Sequence, residues 1–216
     1  MTLKRVLVAN RGEIAVRVIR ACKSLGIETV AAVSTADRNS MAAQIADGAV
    51  CIGPARAAES YLKIEALVAT ALGTGCDAVH PGYGFLSENS AFATACRKND
   101  IVFVGPSAEN IRQMGNKLVA RDIAQKIGVP LAPGSPRISD FPAARGIAER
   151  IGMPVLFKAA AGGGGRGIRI VRRYEDLRPA FETASAEAQA AFGDSALFLE
   201  RYIGNARHIE VQILAD

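Results

Sequence analysis

The stretch Val155-Leu156-Phe157-Lys158-Ala159-Ala160-Ala161-Gly162-Gly163-Gly164-Gly165-Arg166-Gly167-Ile168-Arg169-Ile170-Val171 decides how the chain is read. Val155, Leu156 and Phe157 suit a pleated, largely buried strand, and Ile168, Ile170 and Val171 suit a second one. Between them Gly162 to Gly165 carry no Cβ, so the backbone can adopt positive φ and approach a ligand closely. Successive bare N–H groups in such a turn form an anion-binding concavity. Lys158 and Arg166 flank it with positive charge. These residues predict a hairpin that folds over a polyphosphate, with Lys158 reaching in from the strand below. A mobile linker of small residues is the plainer alternative, but the two flanking strands and two basic side chains argue against it.

Two familiar phosphate motifs do not fit. A P-loop needs G-x-x-x-x-G-K-[ST], and Arg166 follows Gly165 here. A dinucleotide fingerprint needs glycines that open a helix after a strand, whereas this tract leads into another strand. The strand–glycine–strand order is nearer to the phosphate-covering loop of kinase-like nucleotide sites, yet no kinase catalytic motif follows.

Composition narrows the classes. The 216 residues suffice for one large or two small domains, and half of them are hydrophobic. The net charge of +5 is mild and scattered, and four Tyr with no Trp offer little to stack bases, which argues against nucleic acid. Gly-Arg-Gly alone does not make an RGG tract. Cys22, Cys51, Cys76 and Cys96 are far apart without C-x-x-C spacing, and are read as reduced core residues of a cytoplasmic protein. No apolar run approaches a membrane span, and the start is too short in its apolar part for a signal peptide.

Working outward, the amino-terminal side reads as a βαβ layout with a parallel sheet. Arg5 to Ala9 is a strand, Ile14 to Leu25 a helix and Thr29 to Val33 a strand. A short helix at Ser40 to Ala46, a strand at Ala49 to Ile52 and a helix at Tyr61 to Leu72 follow. The strand Ala78 to His80 then runs into Pro81-Gly82-Tyr83-Gly84-Phe85-Leu86-Ser87-Glu88, a loop at the edge where open α/β sheets bind ligands. His80 is read as a buried histidine satisfied by loop carbonyls rather than as catalytic. Next come a helix at Asn89 to Lys98, a strand at Ile101 to Val104, a helix capped by Ser107, and another at Leu118 to Ile127. The Pro, Gly and Ser of Leu131 to Pro142 suggest a domain boundary. Beyond it a small α+β unit is expected: helix Ala143 to Ile151, the two strands of the opening motif, a long helix Tyr174 to Phe192 and a strand Leu197 to Tyr202. From Arg207 the residues alternate, with His208, Glu210 and Gln212 on one face and Ile209, Val211 and Ile213 on the other. That predicts a strand whose neighbours are missing, so the sequence reads as cut inside a domain.

With these pieces assembled, the chain resembles the biotin carboxylase family of ATP-grasp enzymes over essentially its whole length. The resemblance rests on Val8-Ala9-Asn10-Arg11-Gly12-Glu13-Ile14-Ala15, His80 to Asn89, Phe103-Val104-Gly105-Pro106, Met114-Gly115-Asn116-Lys117, Gly162 to Gly167 and Arg207-His208-Ile209-Glu210-Val211-Gln212. It implies an α/β fold: a Rossmann-like pre-ATP-grasp domain at 1–114, a linker helix at 115–134, an ATP-grasp lid at 135–203, and the truncated first strand of the ATP-grasp core at 204–216. The implied reaction is ATP-dependent carboxylation of biotin by bicarbonate through carboxyphosphate. It implies as partners a biotin carboxyl carrier domain, a carboxyltransferase subunit or domain, and a homodimer as one form of assembly.

By position, the resemblance makes Lys117 a hinge lysine on the nucleotide and Lys158 the strand lysine on the phosphates. Gly164 and Gly165 fall on the phosphate-wrapping loop. Glu200, Arg201, Tyr202 and Ile203 fall on the segment holding the adenine, His208 lies near the ribose, and Glu210 shares its face. Two lysines and bare amides can offset triphosphate charge, and Glu200 can accept from an amine or a ribose hydroxyl. Ala160-Ala161 stand where the family usually has Ser-Gly, which removes a hydroxyl and a flexible position. The family's Mg2+ carboxylates, bicarbonate arginine and lysine, and general base belong to a second half that these residues do not include. No catalytic or metal residue is therefore expected here, and the chain alone is expected to be inactive. Two rival readings are an ATP-grasp ligase of the carbamoyl-phosphate synthase type and a non-catalytic assembly module.

Overall fold

A computed structural model describes residues 2–160, 168–209 and 211, apart from the side chain of Lys117. Contacts divide the chain into two units, Met1–Asn116 and Lys117–Asp216.

The first unit alternates strands and helices: β1 (Arg5–Val8), α1 (Gly12–Ser24), β2 (Glu28–Ser34), α2 (Met41–Ile45), β3 (Gly48–Gly53), α3 (Ile64–Gly73), β4 (Ala78–His80), α4 (Ser90–Lys98), β5 (Val102–Phe103) and α5 (Ala108–Gly115). All strand pairs are parallel, in the order β3-β2-β1-β4-β5. Central strands of such a sheet are covered on both faces, which is why they read as unbroken apolar runs. Leu7, Val30 and Val79 pack on one face with Leu67 and Phe92. Val6, Val8, Ala31 and Val33 pack on the other with Ile19. Chain order reverses between β1 and β4, so a crevice opens at their carboxyl ends.

Local chemistry sets the element ends. Ser40, Asn89 and Ser107 each accept a backbone N–H from three residues on, capping α2, α4 and α5. The helix expected from Tyr61 begins instead at Ile64. Tyr61 is drawn out of it because its hydroxyl is buried between Ser34 N, at 3.0 Å, and Asp37 Oδ2, at 2.8 Å. Cys22, Cys76 and Cys96 are buried, but Cys51 is exposed. It lies on β3, an edge strand on which Ile52 is buried and the other residues are partly or fully exposed.

The second unit contains α6 (Lys117–Lys126), α7 (Phe141–Ile151), β6 (Val155–Ala159), β7 (Ile168–Val171), α8 (Leu177–Phe192) and β8 (Leu197–Arg201). Its sheet is antiparallel, in the order β7-β6-β8. Asp140 caps α7 by accepting from Ala143 N at 2.8 Å, so the helix starts at Phe141, earlier than the sequence suggests. A 3-10 turn at Tyr174–Asp176 precedes α8, and Pro179 sits in the first turn of that helix, where its missing N–H is tolerated. Val155, Phe157, Leu197, Leu199, Phe181 and Ala184 form the core against α7 and α8.

The Pro/Gly/Ser-rich stretch read as holding a boundary pairs with β8 inside this unit. Ser135 N donates to Leu199 O at 2.8 Å, Arg201 N to Pro133 O at 2.7 Å, and Ile138 N to Leu197 O at 2.7 Å. After Arg201, the strand expected from Arg207 is not formed at 207–209; the rest of that segment, apart from Val211, lies outside the described residues. Alternation supplies a two-faced sequence, but a strand also needs a neighbour to take its N–H and C=O groups. Among the described residues no helix is long and apolar enough to cross a membrane.

Candidate functional site

In the first unit the crevice between β1 and β4 is closed by its own polar groups. Asn10, 5% exposed, donates from Nδ2 to Pro81 O at 2.7 Å and Tyr83 O at 2.8 Å, while its Oδ1 accepts from Arg11 N at 2.8 Å. Gly82, at φ +64°, allows this contact: a Cβ there would lie 2.8 Å from Asn10 Nδ2. Tyr83 OH donates to Glu13 on α1. His80 differs from its sequence reading. Its Nδ1 accepts from Gly82 N at 3.0 Å, rather than donating to a loop carbonyl. Burial lowers its pKa, which favours the neutral ring that this acceptor requires.

Asp37 is also spoken for. Burial pushes its carboxyl up, but hydrogen bonds from Ser34 and Tyr61 and the charge of Arg11 outweigh that and hold it below its ordinary value. Burial foremost pushes the Tyr61 hydroxyl up to about 12. A cleft of about 430 Å³ opens at the carboxyl ends of β4 and β5, lined by Pro81, Glu88, Phe103 and Met114 among others. Its lining includes no lysine or arginine, so it does not suit a polyphosphate.

The second unit arranges charge differently. In the β6–β8 register Leu156 stands opposite Glu200 and Lys158 opposite Phe198, so these four side chains share the sheet face turned away from α7 and α8. Ile168 and Ile170 of β7 pair with Lys158 and Leu156, lie on the same face, and are each 46% exposed. The face thus sets two charged side chains, diagonal across β6 and β8, among four apolar ones. Lys158 Nζ donates to Glu200 Oε2 at 2.6 Å and lies 5.7 Å from the Phe198 ring centroid. Arg121 of α6 donates from Nη1 to Glu200 Oε1 at 3.1 Å. Two cations on one carboxylate leave a surplus positive charge beside an apolar floor, which suits an anion that carries a flat ring.

Of the residues singled out in the sequence, Lys158 and Glu200 are brought together. Arg201 turns its side chain elsewhere: Nη1 donates to Ile151 O at 2.6 Å, satisfying the carboxyl end of α7. Tyr202 N donates to Pro154 O at 2.9 Å, and Arg172 Cζ lies 5.7 Å from its ring centroid. Ile203 and His208 are exposed, in irregular backbone. Lys117 opens α6, but its side chain is outside the description, and Gly164, Gly165 and Glu210 lie outside the described residues. Sequence reasoning missed Arg121, Leu156 and Ile168. The last two could have been found from the period-2 alternation of their strands. Arg121 carried no such signal, because it lies 79 positions from Glu200.

A switch-point parallel sheet followed by a small antiparallel unit that presents a lysine–glutamate pair defines the class as mixed α/β. Residues 2–111 match the family described as biotin carboxylase, N-terminal domain, and the chain belongs to that family. Residues 116–216 match the ATP-binding domain of the carbamoyl-phosphate synthase L chain. A biotin carboxylase of Pseudomonas aeruginosa is 52% identical over 99% of this chain and 48% of its own length, so the chain spans about half of that relative. The biotin carboxylase domain dimer of Hydrogenobacter thermophilus 2-oxoglutarate carboxylase, solved with MgADP, ADP and bicarbonate, superposes with a TM-score of 0.82. That match has 49% identity and covers 95% of this chain and 45% of the other. The biotin carboxylase–β,γ-ATP complex from Campylobacter jejuni gives a TM-score of 0.85 at 46% identity, covering 94% and 46%.

Proposed function

We propose that this chain works as the amino-terminal half of a cytoplasmic biotin carboxylase, a ligase that carboxylates biotin with bicarbonate through carboxyphosphate at the expense of ATP. The single observation that carries this reading is the face holding Leu156, Ile168, Lys158 and Glu200. The adenine lies on the apolar floor, Glu200 accepts from the base or ribose, and Lys158 offsets phosphate charge. Lys117, the glycines Gly164 and Gly165, the backbone of 201–203, His208 and Glu210 complete this wall of the nucleotide site. After the first domain, 115–134 serves as a linker helix and 135–203 as the lid, with the core beginning at 204.

Mg2+ bound to the nucleotide neutralises charge that develops on the phosphates. Its protein ligands, and the groups that take bicarbonate and biotin, belong to the other half. Biotin arrives on a carrier domain, and a carboxyltransferase partner takes the carboxyl group onward to an acyl-CoA or keto acid. A homodimer is the expected assembly.

The test is Lys158→Gln in the full-length protein, read by calorimetric ATP binding and by biotin-dependent ATP hydrolysis. Losing one charge-assisted contact, at about 1.5–3 kcal/mol, is expected to weaken ATP binding by roughly 10- to 150-fold. Unchanged affinity sinks the nucleotide reading. ATP turnover that ignores biotin favours the carbamoyl-phosphate synthase type instead.

A further inference from the structure

We propose that Arg121 is a positioning residue that holds Glu200 so that Lys158 is free to leave it for the ligand's phosphates. This inference rests on the reading of that sheet face as the nucleotide site. Glu200 is 17% exposed and its two oxygens are divided between two cations, Oε2 to Lys158 and Oε1 to Arg121. The two cations are held differently. The guanidinium of Arg121, 20% exposed, is fixed at a second point, where Nη2 donates to Ala132 O. It also lies against Gly134, where a Cβ would come within 2.8 Å of Nη2. A planar fork held at two points keeps the carboxylate in one orientation. Lys158, 28% exposed, ends in one ammonium on a flexible stem, ion-paired with Glu200 among the described residues.

When Lys158 swings to a phosphate, it leaves a partly buried carboxylate behind. Without a second cation that carboxylate would be unpaired and would pull the lysine back. With Arg121 in place, the charge stays compensated and the oxygen released by Lys158 is ready to accept an N–H or O–H donor. The exchange then costs little, and Lys158 divides its time according to the ligand.

The experiment compares Arg121→Leu, Arg121→Lys, Glu200→Gln and the double variant R121L/E200Q in the full-length protein, with Lys158→Gln as reference. The probes are ATP and inorganic tripolyphosphate, the latter lacking any ring or ribose for Glu200 to bind. R121L is expected to weaken tripolyphosphate binding about tenfold, because Glu200 now retains Lys158. R121K is expected to fall between it and the parent. E200Q added to R121L is expected to restore the affinity, since no carboxylate is left to hold the lysine. A merely structural arginine would give the opposite result, because a second lesion beside it would not repair the first. Affinity of R121L within twofold of the parent, or failure of E200Q to restore it, overturns the proposal. If K158Q itself binds both probes normally, the nucleotide reading falls first, and that outcome is distinct from a K158Q that loses binding while R121L keeps it.

Discussion

The two units handle polar chemistry in opposite ways. In the first, polar groups at the carboxyl ends of the strands are consumed by neighbours: Asn10 by two loop carbonyls and a backbone N–H, Asp37 by Ser34, Tyr61 and Arg11, Tyr83 by Glu13. In the second, Arg121 and Lys158 share one carboxylate on a face that also exposes Ile168 and Ile170. A polar cluster that balances internally fixes a loop. One that ends with surplus charge beside exposed apolar surface still has something to gain from a ligand. The geometric crevice of the parallel sheet is therefore a poorer candidate for polyphosphate than the antiparallel face, although the usual rule for open α/β sheets points to the former.

The largest expected effect separates the units as folding bodies. Phe157 is fully buried in the second core and meets the Phe181 ring at 5.8 Å between centroids. Phe157→Ala is expected to cost about 3–5 kcal/mol. The buried clusters of the two units share no residue among those described. Hydrogen exchange of the variant should accordingly lose protection in β6 and β8 while β1 and β2 keep theirs; equal loss in both would erase the contrast drawn above.

A smaller effect tests the closed crevice. Asn10→Ala strands Pro81 O and Tyr83 O, and is expected to cost about 1–3 kcal/mol in denaturant unfolding. ATP affinity should stay unchanged if, as proposed, the phosphates lie on the antiparallel face. An ATP defect larger than the Lys158→Gln defect would reverse the assignment of the two regions.

The smallest concerns Asp37 and acid. Its folded-state pKa lies below the ordinary value of about 3.9, so the unfolded chain takes up the proton first as pH falls. The stabilisation is complete above that ordinary value and disappears as pH drops through the folded-state value. Asp37→Asn should lower stability at neutral pH and flatten the acid limb of a stability–pH curve below about pH 4. An unaltered acid limb would mean that Asp37 is not compensated as described.

Much of the fold was legible because its signals are local. The βαβ runs, the cap at Ser107 and the two strands that flank the glycine tract depend on neighbours a few positions apart. Lys158 stood out from its place between a strand and the glycine tract, Glu200 only through the family resemblance, and no local pattern signals a pairing across 42 positions. Tyr61 was misread as helical because its hydroxyl partners, Ser34 and Asp37, lie 27 and 24 positions away. Arg201 was read as part of the segment holding the adenine; that its side chain reaches Ile151 O at the end of α7, 50 positions away, has no local signal. The Pro/Gly/Ser stretch read as a boundary became an edge partner of β8, since extended backbone of any composition can pair where a sheet edge is open.

The order of residues by itself determined most of the strands and helices and which alternate residues share a face. Which strand lies beside which, and hence that a lysine on β6 and an arginine on α6 converge on one glutamate of β8, was decided by the tertiary structure. The reason is physical: period and propensity act over one or two turns of chain, whereas charge compensation acts through space and is blind to sequence distance.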